Sequence, residues 1–97
     1  LTRLYWLRNM PKCEPDIEEK AKKDVRKLDK RIRKSFEEAL DRLLSGDVQG
    51  KKLRGKLSDY YSLPFFGLKY RIIYKKSPCL VSIIRVGKRE SIYDRLK

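Results

Sequence analysis

The 97-residue chain carries 26 Lys and Arg against 13 Asp and Glu, a formal net charge of +13, with two cysteines and no histidine. That length holds one small domain over residues 1–97 with one modest core. The missing imidazole removes the usual acid–base residue and the commonest metal ligand. Neither metal nor cofactor is therefore expected, and any catalysis must rest on Lys, Arg, Tyr or a carboxylate. Charge is also uneven: residues 51–97 hold 13 basic side chains against three acids, Asp59, Glu90 and Asp94. Such a field concentrates polyanions, so nucleic acid or an acidic protein partner is the expected ligand of the C-terminal half.

Residues 3–8 read as a first strand, Leu4, Trp6 and Arg8 alternating with Arg3, Tyr5 and Leu7, and Trp6 is expected in the core. Pro11 and Pro15 then mark a connection around Cys13. From Asp16 the period becomes helical, with Ile17, Ala21, Val25 and Leu28 recurring every three or four residues. Asp29 interrupts the stripe and is placed to cap a second helix through its carboxylate. That helix carries Ile32, Phe36, Leu40, Leu43 and Leu44 and ends at Ser45-Gly46, where glycine takes the left-handed turn. A basic connector over residues 51–56 follows. Three strands are expected next: Tyr60–Phe66, with Pro64 implying an edge or a bulge, then Lys69–Lys75 and Leu80–Val86. Short turns make them antiparallel neighbours. Residues 91–96 read as a final helical turn.

This order defines an α+β fold: an N-terminal strand, a helical hairpin on one face of a mostly antiparallel four-stranded twisted sheet, and a short C-terminal helical turn. If Ile72 packs on the helices, alternation sends Arg71 to the face without them. Arg85, between Ile84 and Val86, is expected on the same open surface as an RNA contact. Clustered aromatics such as Tyr60, Tyr61, Phe65 and Phe66 are more often core than stacking platform. Cys13 and Cys79 lack C-x-x-C spacing and fit reduced thiols in a cytoplasmic protein, with a Cys13–Cys79 bridge the less favoured alternative. No apolar run reaches membrane-spanning length, and the charged opening is too short for a signal peptide, so no membrane association is expected.

The ordered set Lys51-Lys52-Leu53-Arg54-Gly55, Tyr60-Tyr61, Tyr70-Arg71-Ile72-Ile73-Tyr74 and Val86-Gly87-Lys88-Arg89-Glu90-Ser91-Ile92-Tyr93 resembles the RelE/ParE superfamily of type II toxins, nearest the RelE branch. The likeness spans residues 17–96. It implies a toxin neutralised by a co-expressed acidic antitoxin, monomeric when free and heterodimeric or heterotetrameric in the complex. In the RelE branch it also implies a ribosome-dependent endoribonuclease that attacks mRNA with its own 2′-hydroxyl. Carried over by position, Arg71 and Arg89 hold the scissile phosphate and Tyr93 stacks on a base or relays a proton. Lys52, Arg54, Lys56 and Lys88 add RNA contacts. The resemblance departs at Ser62 and Pro64, where ribonuclease-active relatives carry Lys or Arg. Either Lys56 or a tyrosine then supplies the base, or cleavage is weakened. Two other classes stay open: a non-enzymatic toxin that poisons DNA gyrase, and a degenerate toxin-like RNA-binding module.

Overall fold

The computed structural model describes residues 14–77 and 80–94. The elements run β1 (Glu14–Ile17), α1 (Glu19–Arg26), α2 (Lys30–Ser45), β2 (Lys51–Lys52), a 3₁₀ turn (Gly55–Leu57), β3 (Tyr61–Phe65), β4 (Tyr70–Ser77), β5 (Leu80–Lys88) and α3 (Arg89–Ile92). They form one five-stranded sheet in the order β1-β5-β4-β3-β2. β1 pairs with β5 in parallel, and every other pairing is antiparallel. The expected strand at residues 3–8, Trp6 and both cysteines lie outside the described residues.

The helical hairpin forms as its stripes require. The Asp29 carboxylate accepts from the backbone N–H groups of Arg31 and Ile32 at 2.9 and 3.0 Å, satisfying two donors that the first turn of α2 leaves without helical partners. Gly46 closes the helix with φ +86°, its N–H bonded to carbonyls of the last turn. The short elbow is tied by Arg33, whose Nη2 donates to the carbonyls of Arg26 and Leu28 at 3.2 and 3.1 Å, supplying donors for the end of α1. Ala21, Phe36 and Leu43 are buried against Leu63, Phe65, Ile72, Tyr74, Val81, Ile83 and Val86 of the sheet, with Val25, Leu28, Ile32, Leu40 and Leu44 packed around them. α1 lies on β5 and α2 on β3.

Three expectations need correction. Asp16 and Ile17 belong to β1 and not to the first helix; Ile17 reaches the same core from a strand. An edge strand tolerates Pro15, because only one side of it need be paired. Lys51 and Lys52, expected in a connector, form a two-residue strand against β3, so the sheet gains a strand at each margin. The last helical turn begins at Arg89, two residues before the expected start. It packs on β4 and β5, so the face opposite the hairpin is partly covered. Ile73 and Ile92, both fully buried yet apart from the main cluster, make the small core beneath it.

Pro64 keeps its expected edge character. β2 pairs only with Tyr61 and Ser62, leaving Pro64 with β4 on one side and no strand on the other among the described residues. A bulge between Ile73 and Tyr74 shifts the β4–β5 register, so that Ile73 opposes Arg85 and Tyr74 opposes Ile83. The extra residue is Ile84 of β5, and Tyr74, two residues from Ile72, enters the main core at 1% exposure and stacks on Tyr61, ring centroids 5.3 Å apart.

Candidate nucleic-acid interface

Cross-strand partners share a face, and residues two apart along a strand share it too. On this rule Lys51 of β2, Ser62 and Pro64 of β3, and Arg71 and Ile73 of β4 lie on the face opposite the hairpin. Gly87 opposes Arg71 on β5 and brings no side chain to that rung, so the surface beside the guanidinium is left low. Arg71 Nη1 donates to the carbonyls of Leu68 and Tyr70 at 2.8 and 3.2 Å. A guanidinium has five N–H donors in a rigid fork, more than two carbonyls consume, so Arg71 is oriented by its backbone contacts and keeps donors for a planar anion.

Tyr93 follows α3 directly, and its phenol oxygen lies 3.1 Å from Ser62 Oγ. Ser62 is only 5% exposed and stands two residues before Pro64, the partner of Arg71. The rungs that hold Tyr93 and Arg71 are thus roughly 7 Å apart along β3. Arg89 opens α3, its N–H donating 2.9 Å to the Lys69 carbonyl, with its side chain exposed. This backbone bond ties the start of α3 to the residue before β4, and the Arg89 side chain lines a recess with Ile32, Tyr70 and Lys88, while Arg71 and Tyr93 belong to the face opposite the hairpin.

The remaining expected contacts divide. Arg54 and Lys56 are exposed at and within the 3₁₀ turn. Lys52 opposes Tyr61, which packs on the hairpin-side core, so register places Lys52 on that side and puts Lys51 on Tyr93's side. Lys88 opposes Tyr70 and with it lines a recess of about 590 Å³ between α2 and the sheet end. Arg85 is turned to Asp24 of α1, its Nε and Nη2 donating to the two carboxylate oxygens at 2.9 and 3.1 Å.

Two features escaped the sequence reading. Lys75 Nζ lies 5.1 Å from the centre of the Tyr60 ring, a cation–π contact. The alternation Arg71-Ile73-Lys75 already signalled that side. The Asp24–Arg85 pair spans 61 positions, and helical spacing holds no sign of it. Tyr61, Phe65 and Phe66 join or pack on the main core, as clustered aromatics beside a sheet usually do. Among the described residues no cluster of His, Cys, Asp and Glu is suited to a metal ion, and no helix is long and apolar enough to cross a membrane.

Fold and face together define a small α+β protein with a basic, tyrosine-bearing sheet surface. The family model for the ParE toxin of the type II toxin-antitoxin system parDE matches residues 16–93, and the chain belongs to that family. It is similar to the mRNA interferase toxin RelE of Escherichia coli K12, 35% identical over 78 residues that cover 77% of this chain and 81% of that one. A mutant E. coli RelE in the free state superposes with a TM-score of 0.71 at 29% identity, covering 90% of this chain and 93% of the other. The RelBE2 toxin–antitoxin complex of Mycobacterium tuberculosis gives 0.68 at 28% identity over 82% of this chain and all of the matched chain. These relatives lie on the RelE side of the superfamily.

Proposed function

We propose that this toxin is an endoribonuclease that cuts mRNA on the ribosome, with Arg71, Arg89 and Tyr93 as its working residues. The observation that carries the reading is Arg71, held by two backbone carbonyls beside Gly87, on the face where Ser62 fixes the Tyr93 phenol. In the reaction the 2′-oxygen bonds to phosphorus while the bond from phosphorus to the 5′-oxygen breaks. A base takes the 2′-proton and an acid supplies one to the departing oxygen, leaving a cyclic phosphate and a 5′-hydroxyl. Charge grows on the phosphoryl oxygens in the transition state, which is where two guanidinium groups lower the barrier. Tyr93 stands as the stacking or proton-passing group. Arg54, Lys56 and Lys88 flank the site as contacts for the RNA backbone, with no base-specific duty.

The expected partner is an acidic antitoxin segment, which orders on the basic surface through charge-assisted contacts that offset its entropy. RelE is seen in complex with an antitoxin in related structures. The free chain is expected as a monomer, and the complex as a heterodimer or heterotetramer in the cytoplasm. The nuclease test is to add purified protein to ribosomes programmed with a defined mRNA and map the new ends. Cuts that require Arg71 and Arg89 and leave a 2′,3′-cyclic or 3′-phosphate are expected; uncut message overturns the reading.

One observation favours a second function. Ser62 and Pro64 provide no lysine on β3, which suits a non-enzymatic toxin that poisons DNA gyrase. In that case growth arrest persists in the Arg71→Ala/Arg89→Ala variant and the message stays intact.

A further inference from the structure

Ser62 is a small polar residue in the middle of a sheet, 5% exposed, between β2 and β4. Its hydroxyl meets the phenol oxygen of Tyr93, 31 positions away, at 3.1 Å, and either atom is able to donate. This tie joins the segment after α3 to the centre of the sheet. α3 is a single turn with no side-chain cap and is held otherwise by buried Ile92 and the Arg89 N–H to Lys69 contact. Lys51 is the cross-strand partner of Ser62 on β2 and shares its face. A lysine, a serine hydroxyl and a phenol are thus gathered two residues along β3 from the partner of Arg71.

We infer that Ser62 is a positioning residue for Tyr93: its hydroxyl fixes the phenol oxygen on the face shared with Arg71 and Lys51. A tyrosine whose hydroxyl is already held loses less freedom on meeting its substrate. A tyrosine used only for packing gains nothing catalytic from such a bond. The inference rests on the nuclease reading above and concerns how its phenol is controlled.

The test is a double-mutant cycle on the protein made by cell-free synthesis, with the kcat and KM for cleavage of ribosome-bound mRNA measured for each variant. Ser62→Ala is expected to lower kcat by about five- to tenfold with KM little changed, the size of one lost hydrogen bond at a reacting group. In the Tyr93→Phe background the same change is expected to cost less than about twofold, because the hydroxyl it serves is gone. Ser62→Thr, which keeps the hydroxyl, is expected to restore most of the rate. Equal losses from Ser62→Ala in both backgrounds overturn the inference while leaving the nuclease standing, and so does a fully active Tyr93→Phe. Wild-type protein that never cuts overturns both.

Discussion

The ion pair between Asp24 and Arg85 gives the sharpest stability prediction. Asp24 exposes 6% of its side chain and Arg85 18%. One carboxylate oxygen also accepts the Val86 N–H at 3.0 Å, a donor on the edge of β5 beyond the last residue that β1 pairs, Ile83. Asp24→Ala removes the partner of a largely desolvated guanidinium and orphans that N–H. Breaking a buried pair costs about 3–5 kcal/mol, and an unsatisfied buried N–H about 1–3 kcal/mol. The part of Arg85 still in contact with water lets it recover some hydration, so a net loss of about 3 kcal/mol is expected. For a domain of this size that lowers Tm by roughly 12–20 °C. Arg85→Met is expected to cost less, since Asp24 keeps the Val86 N–H. In the double variant Asp24→Ala/Arg85→Met the loss should fall short of the sum of the two single losses by about 2 kcal/mol. Urea unfolding of all four proteins measures this through shifts in midpoint at constant m. A coupling below about 0.5 kcal/mol refutes the reasoning and makes the pair an ordinary surface contact.

Other sites give further expectations. A Cβ at Gly50 lies 2.8 Å from the Ser62 carbonyl and from the Tyr74 hydroxyl, so Gly50→Ala is expected to cost about 2 kcal/mol in urea unfolding. Asp29→Ala removes the α2 cap and is expected to cost about 1 kcal/mol by the same assay. Burial raises the Tyr74 hydroxyl above 10.0, the Gly50 N–H opposes this, and the neighbouring Tyr61 adds to it. The unfolded chain therefore ionises first: the contribution is intact below pH 10.0 and is lost as pH rises from there through the folded value. Tyr74→Phe should flatten the alkaline fall in stability relative to wild type, although it also forfeits the 2.8 Å bond from the Gly50 N–H. Because Arg85 is committed to Asp24, Arg85→Met should leave the salt dependence of RNA binding unchanged, whereas Arg71→Ala should reduce the slope by about one phosphate contact.

The parts of the fold legible in the sequence were those with a strong local period or a local cap. Ala21, Phe36 and Leu43 announce the hairpin by spacing, and Asp29 and Gly46 mark where α2 begins and ends through chemistry confined to one turn. β1 and β2 were not legible. A four-residue strand containing Pro15 and a two-residue strand of lysines have no periodicity of their own; each exists because a longer neighbour, β5 or β3, offers unpaired backbone groups. The site divides similarly. Arg71 followed from alternation along β4 once Ile72 was assigned to the core. Tyr74 joins the core by the same alternation as Ile72, whereas on β5 the unpaired Ile84 resets alternation, so that Val81 and Ile83 before it and Val86 after it share the core face. Lys51 and Lys52 are adjacent and chemically identical, and only the pairing of Lys51 with Ser62 separates their faces. Ser62 itself looked like a lost lysine position; its contact with Tyr93 depends on how the chain returns after β5.

The most direct test of the nuclease reading is primer extension on a reporter mRNA after induced expression in a bacterial host, wild type beside Arg71→Ala/Arg89→Ala. Codon-phased cuts that vanish in the double variant are the expected result; growth arrest with an intact message, equal in both proteins, contradicts it.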